Sequence, residues 1–450
     1  MVNPQIFRQY DIRGLVDSDL TADSVYEIGW GFGTHLRNLN LKTAVIGGDA
    51  RLSTPQFKRK FSEGLRDAGI DVTDVGFVAT PVLYFAIWHL KTDAGVMITA
   101  SHNPSEYNGI KLNRGLQSVY GDEIQEILKL ILEGNFRKGS GKLSIFENIG
   151  EIYIEYLLQN IRLERPVKLI IDAGNGAGGP YLLPILERLG CQVECLFCEP
   201  DGRFPNHHPD PTVEKNLQQL ISRVRETGAE VGIGLDGDAD RMGVVDEKGK
   251  MLFGDQVLNI FVRDFLKQNP GEKIIADVKC SKNLFDDIKK FGGEPIMYKT
   301  GHANIKTRMQ ELDIKLSGEM SGHIFFNDRY LGFDDAIYGA CRFLEIMSKT
   351  DMPVSEFLAD QPRMFNTPEL HIPSTDDAKF KVVEQVRNSF LAEGYDVNDI
   401  DGMRMTFKDG WALCRASNTT PVLVLRFEAE TEARLAEIRQ LVEERINKFL

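Results

Sequence analysis

Five short stretches of this chain place reactive side chains at spacings that suggest chemistry. In TASHNPSEYNGIK, Ser101 follows the apolar run GVMIT and precedes His102, Asn103 and Pro104, so its hydroxyl sits at a tight polar turn and not inside a helix. A turn or capping role accounts for an isolated serine. With His102, Asn103 and Lys111 close by, Ser101 also has the donors and the proton carrier that a phosphorylated oxygen requires.

In DGDADR, Asp236, Asp238 and Asp240 alternate with small residues, which lets the backbone fold round an ion, and hard carboxylate oxygens suit Mg²⁺. With Glu247 the spacing also matches an EF-hand. Arg241 stands where that loop turns on glycine, however, and the preceding AEVGIGL reads as a strand. An ordinary acidic turn is the other alternative.

GEMSGH sets Glu319, Ser321 and His323 between glycines, groups able to exchange hydrogen bonds with sugar hydroxyls. RASNTTP offers Arg415, Ser417, Asn418 and Thr419 as a nest for an anion. Taken singly, these are surface polar residues and a polar hairpin loop. DAGNGAGG carries Gly174, Gly176 and Gly179 in the dinucleotide pattern, with Glu194 downstream, and raises an NAD-dependent oxidoreductase as a rival. A strand-to-helix turn that needs small residues explains the same glycines.

The elements that must carry these loops repeat. TAVIGGDARLS, QFKRKFSEGLRDAG, IDVTDVG and AGVMITASHNP alternate strand and helix, and so do VKLIIDAGNGAGG, PYLLPILERLG, CQVECLFCEPDG and AEVGIGLDGDADR. A third copy runs EKIIADVKCSKN, LFDDIKKFGG, EPIMYKTGH and IKLSGEMSGHIFF. Apolar strands alternating with helices that end in glycine predict three related α/β domains with mixed, mainly parallel sheets, whose functional loops lie at strand carboxyl ends. After Pro373 the pattern changes to a helix, antiparallel strands and a closing helix, a smaller C-terminal α+β domain. The expected divisions are 1–148, 149–250, 251–365 and 366–450.

Composition excludes several classes. At 450 residues the chain exceeds one ordinary core, and 42% apolar with 26% charged residues is a globular balance. No apolar run could span a bilayer, and MVNPQIFRQYDIRG lacks the features of a secretory signal, so a cytoplasmic protein without a membrane partner is expected. The net charge of −13 without a Lys/Arg block disfavours nucleic acid, while a local cluster of donors would still admit anionic substrates. Six scattered cysteines predict reduced thiols. Alternation in CQVECLFC would point Cys191, Cys195 and Cys198 to different faces, against a metal site.

Read together, from FRQYDIRG to RASNTTPVLVLRFEA, the motifs resemble the α-D-phosphohexomutases, within them the bacterial phosphomannomutase/phosphoglucomutase type. The resemblance implies four domains around a central cleft and interconversion of mannose or glucose 1- and 6-phosphates through a phosphoserine and a hexose 1,6-bisphosphate. By it, Ser101 carries the phosphate and binds Mg²⁺ with Asp236, Asp238 and Asp240. Glu319 and Ser321 hold sugar hydroxyls, and Arg415, Ser417, Asn418 and Thr419 grip the phosphate that is not reacting. Tyr10, Arg13, Lys111, Lys279, His302 and His323 line the cleft, His102 and Arg241 join the catalytic set, and Lys111 or His302 moves the proton. A phosphoglucosamine mutase is the alternative within the family, set aside on Met320 alone. The partners implied are small sugar phosphates, and a monomer or weak dimer is expected. Two departures stand out: Gly48 replaces an arginine common beside DARLS, predicting looser support of the serine loop, and Ala239 replaces a common glycine.

A bisphosphate that must present both ends to one serine requires a C-terminal domain that opens. Small-angle scattering profiles are expected to shift on adding hexose phosphate; profiles unchanged by substrate would contradict this.

Overall fold

The computed structural model describes residues 2–417 and 420–450, arranged around four β-sheets. Three of the sheets repeat one plan. In the first, Ala94–Ile98, Thr43–Gly48 and Asp71–Phe77 run parallel, and Tyr107–Arg114 returns antiparallel beside Ala94–Ile98. In the second, Val231–Leu235, Lys168–Asp172 and Gln192–Leu196 run parallel, with Met242–Asp246 antiparallel to Val231–Leu235. The third has Leu316–Gly318, Lys273–Asp277 and Glu294–Tyr298 parallel, and Ile324–Phe326 antiparallel to Leu316–Gly318. In every copy the turn into the antiparallel strand is one of the three chemical loops. The central strands Ala94–Ile98 and Val231–Leu235 are buried throughout, as strands covered on both faces by helices must be.

The C-terminal unit is built differently. Met403–Phe407, Gly410–Ala416 and Val422–Ala429 form an antiparallel sheet, and helices Lys379–Ala392 and Glu432–Ile446 share its apolar core. Residues of all four units line one cleft, described below. Among the described residues no helix is long and apolar enough to cross a membrane.

Helix Thr80–Leu90 fixes the first unit against the others. Every residue from Thr80 to Ile87 is buried, so the helix has no polar face to turn to water. It joins the core shared by the second and third units, where Phe85 meets Tyr153 edge-on at 5.5 Å. Its first amide, Thr80 N, donates to Asp238 O at 2.9 Å, which brings the serine unit onto the acidic loop.

One expectation is corrected. Cys195 and Cys198 lie side by side, their Cα atoms 6.0 Å apart, whereas strand alternation was expected to point them to different faces. Strand alternation ends at Leu196, and Phe197 turns through the left-handed region (φ 52°), folding Cys198 back toward Cys195. Cys191, Cys280, Cys341 and Cys414 are free thiols.

Helices Ala22–Asn38 and Thr54–Asp67 cross closely through glycines, and the second starts just after the turn that supports the serine loop. A Cβ at Gly64 would lie 2.2 Å from Tyr26 O and 2.6 Å from Trp30 N, backbone atoms that cannot step aside. Gly64→Ala is expected to cost about 1–3 kcal/mol, read as a lower denaturant midpoint at unchanged m-value.

Candidate active site

The serine loop is held by its backbone. Asp49, at the end of a buried strand, accepts from Thr99 Oγ1 at 2.7 Å, and Thr99 Oγ1 in turn accepts from Ser101 N at 2.9 Å. Arg51, 1% exposed, donates to the carbonyls of Ser101 (2.8 Å), Asn103 (2.6 Å), Pro104 (2.6 Å) and Tyr107 (2.9 Å). This corrects the expectation drawn from Gly48. The loop is gripped by Arg51, and a Cβ at Gly48 would lie 2.3 Å from Thr54 Cγ2, so no larger side chain fits there. Held this way, Ser101 adopts φ 49°, a left-handed conformation that non-glycine residues take only under constraint.

The acidic loop faces it. Asp236, Asp238 and Asp240 are fully buried and bring carboxylate oxygens within 4.8 Å of one another. Ser101 Oγ donates to Asp236 Oδ2 at 2.8 Å, and Asp236 also accepts from Arg241 Nε at 3.0 Å. Lys111 Nζ bridges Asp238 Oδ2 at 2.7 Å and Asp240 Oδ2 at 2.5 Å, and Thr80 Oγ1 donates to Asp238 Oδ2 at 2.6 Å. When all three are ionised, the carboxylates meet two cations and one negative charge is left over. Among the described residues, Asp238 Oδ1 and Asp240 Oδ1 find no hydrogen-bond partner. Burial, together with Asp240 and Asp238, pushes Asp236 up to about 8. Excess charge and orphaned oxygens in a dry site fit a divalent cation. Ala239, between two of these aspartates, sits at φ 61°, a conformation that glycine would take without strain.

A cavity of about 450 Å³ opens over both loops. Of the expected residues, Tyr10, Arg13, Ser101, His102, Lys111, Asp240, Arg241, His302 and His323 line it, and Thr420 reaches it from the C-terminal unit. Arg13 donates to Asn103 Oδ1 at 2.7 Å, and His102 Nδ1 lies 3.2 Å from Ser101 Oγ. Tyr10 Oη donates to Thr300 O at 2.9 Å and ties the first unit to the third. Burial lowers the Lys111 ammonium, but Asp238 and Asp240 outweigh it and hold the group well above the lysine range. Burial pulls His302 well below the histidine range despite Asp334. His323 is raised, because Asp240 and Asp334 outweigh its burial.

The other expected residues that the structure describes do not line this cavity. Glu319, which burial pushes up to about 7, accepts from Gly301 N at 2.5 Å beside His302. Ser321 is half-buried in the same turn. Lys279 pairs with Glu369 at 2.8 Å, Arg415 pairs with Asp401 at 3.0 Å, and Ser417 Oγ lies 2.8 Å from Thr420 Oγ1. Asn418 and Thr419 lie outside the described residues.

Several contributors were not singled out by sequence. Arg51 and Asp49 lie in a stretch legible only as a strand and turn. Thr80 looks like any helix start. Asp334 is hidden in FNDRYLGFDD, yet its Oδ2 sits 3.2 Å from His323 Nδ1 and 3.5 Å from His302 Nδ1, and Oδ1 is 2.9 Å from Lys306 Nζ. The dinucleotide pattern is explained by packing. A Cβ at Gly176 would lie 2.6 Å from Gly237 O and one at Gly179 2.4 Å from Cys198 O, so the protein's own backbone takes the space. Glu194 pairs with Arg223 at 2.7 Å. The oxidoreductase reading is therefore not favoured.

The comparisons agree along the whole chain. Family models described as phosphoglucomutase/phosphomannomutase match in order: α/β/α domain I at residues 4–138, domain II at 151–249, domain III at 253–365 and the C-terminal domain at 369–445. A phosphomannomutase/phosphoglucomutase of Pseudomonas putida is 43% identical over 97% of this chain and 94% of its own. A phosphoglucomutase of Neisseria gonorrhoeae is 44% identical over 97% of this chain and 96% of its own. A solved structure of a phosphoglucomutase/phosphomannomutase family protein from Burkholderia thailandensis superposes with a TM-score of 0.94 at 41% identity, covering 100% of this chain and 98% of that one.

The left-handed Ser101 gives a backbone test that needs no substrate. Ser101→Gly and Ser101→Ala both remove the hydroxyl, but only glycine is relaxed at φ 49°. The glycine variant is expected to be more stable than the alanine variant by about 1 kcal/mol in denaturant unfolding.

Proposed function

The chain belongs to the phosphoglucomutase/phosphomannomutase family, and from that premise we propose how its own residues move a phosphoryl group. It is an isomerase that interconverts hexose 1-phosphate and hexose 6-phosphate, with mannose or glucose or both as the sugar, by intramolecular phosphotransfer. The observation that carries the mechanism is the meeting of Ser101 Oγ with Asp236 Oδ2 at 2.8 Å, beside Lys111 and Arg241 in one cavity.

Ser101 is the phosphoryl carrier. Asp236, Asp238 and Asp240 would hold Mg²⁺ together with the seryl phosphate, and the ion when bound offsets charge on the transferring group. Lys111 and Arg241 add fixed positive charge on the same side. The 6-hydroxyl oxygen of a hexose 1-phosphate attacks phosphorus, the P–O bond to Ser101 breaks, and the hydroxyl proton leaves to a base. His302 suits that role because burial keeps its imidazole neutral, whereas Lys111, fixed on two carboxylates, retains its proton. Burial and the nearby Arg241 pull His102 well below the histidine range, so its neutral imidazole, with Nδ1 3.2 Å from Ser101 Oγ, orients the serine oxygen, and the proton that oxygen takes up comes from the protonated base or from solvent. The resulting hexose 1,6-bisphosphate turns end for end and gives its other phosphoryl group back to Ser101. Glu319, Ser321 and Lys279 read the sugar, and Arg415 and Ser417 grip the distal phosphate.

Ser101→Ala is expected to abolish turnover in a coupled assay while hexose phosphate still binds by calorimetry; near-normal turnover with bisphosphate present would remove Ser101 from the mechanism. His302→Asn is expected to lower kcat about 10²- to 10³-fold with KM within a few-fold. A kcat within a factor of two would exclude His302 as the base.

A further inference from the structure

Lys279 follows strand Lys273–Asp277 of the third unit, yet the groups that hold it belong to the C-terminal unit. Arg404 Nη1 donates to Val278 O and, at 2.8 Å, to Cys280 O, while Arg426 Nη1 donates to Lys279 O between them. At the tip of the side chain, Lys279 Nζ donates to Glu369 Oε1 at 2.8 Å. Three successive carbonyls and the ammonium are thus all bonded from across the domain boundary.

The clamp is itself braced. Arg404 is 3% exposed and Arg426 1%. The Arg404 guanidinium lies 3.9 Å from the Trp411 ring centroid, and Trp411 Nε1 donates to Glu428 Oε1 at 2.8 Å. The same Glu428 oxygen accepts from Ser281 Oγ at 2.9 Å and Lys282 N at 3.1 Å, fixing the far end of the Lys279 loop. Burial pulls Arg404 down to about 10, so the guanidinium stays charged at neutral pH. Buried charged donors on loop carbonyls are directional and costly to break. Neither arginine lines the catalytic cavity.

We propose that Arg404 and Arg426 are positioning residues for Lys279: they fix its loop to the C-terminal sheet, so that Lys279 and the phosphate-gripping loop of that sheet approach the substrate as one body. The inference rests on the reading of Lys279 as a substrate ligand.

A double-mutant cycle tests this on steady-state kinetics with a hexose 1-phosphate and a trace of hexose 1,6-bisphosphate. Arg404→Met is expected to raise KM about tenfold with kcat within about twofold, because it removes binding shared by ground and transition states. Lys279→Met should raise KM at least as much, and the double variant no further than Lys279→Met alone. A merely structural arginine would instead act equally in both backgrounds. KM effects that multiply in the double variant, or a wild-type KM in Arg404→Met, would overturn the positioning role alone. A wild-type KM in Lys279→Met, with the parent enzyme turning over normally, would remove Lys279 from the substrate site and this inference with it. If Arg404→Met does not fold, Arg404→Lys enters the same cycle. It keeps the charge on a side chain one bond shorter than the one that brings Nη1 to both carbonyls, and a KM rise of about threefold that vanishes beside Lys279→Met is expected; a rise that persists there would overturn the proposal.

Discussion

Three carboxylates buried against one another and against a serine are the most expensive arrangement in this chain, and much of the structure exists to hold them. Left unpaired in a low dielectric, such charges would protonate or unfold their surroundings. Lys111 and Arg241 neutralise part of the group from two different units, and Thr80 brings both an amide and a hydroxyl to Asp238 from a third element. Removing one partner of a buried pair costs about 3–5 kcal/mol, so the contacts that assemble the site also weld the first unit to the second. The charge they leave uncompensated is what makes the place suitable for a cation, which when bound would in turn favour a phosphoryl group.

The same logic explains the geometry of the serine. A hydroxyl directed at the acidic loop needs the strand to end abruptly, and the chain does this by placing Ser101 in the left-handed region and binding the following carbonyls to one buried arginine. Strain at Ser101 and at Ala239 lies on the two sides of a single contact, Ser101 to Asp236. Conformational cost is therefore concentrated where phosphoryl transfer occurs.

Much of this was legible in the residues. Alternating apolar strands and glycine-ended helices gave three related units, and the rule that loops at strand carboxyl ends carry function pointed to TASHNP, DGDADR and GEMSGH. The structure adds why the three correspond: each leads from a parallel strand into an antiparallel partner. What stayed hidden were contacts between distant positions. Arg51 acts through backbone carbonyls about fifty residues away, which leave no mark on residue type. Asp334 is one acid among several until folding sets it between two histidines. The closeness of Cys195 and Cys198 depends on a left-handed Phe197 that alternation could not foresee. Lys111 reads as a possible base by position and as a fixed cation once Asp238 and Asp240 close on it.

Everything turns on whether the phosphoryl group rides on the residue that meets the acidic loop. Peptide mapping by mass spectrometry, after incubation with hexose 1,6-bisphosphate and again after chasing with hexose phosphate, tests this most directly. The account predicts one phosphoryl group on the peptide containing Ser101, gained with the bisphosphate and exchanged in the chase at the rate of turnover. A chain that turns over with that peptide unmodified throughout, or with the label on another residue, would contradict it.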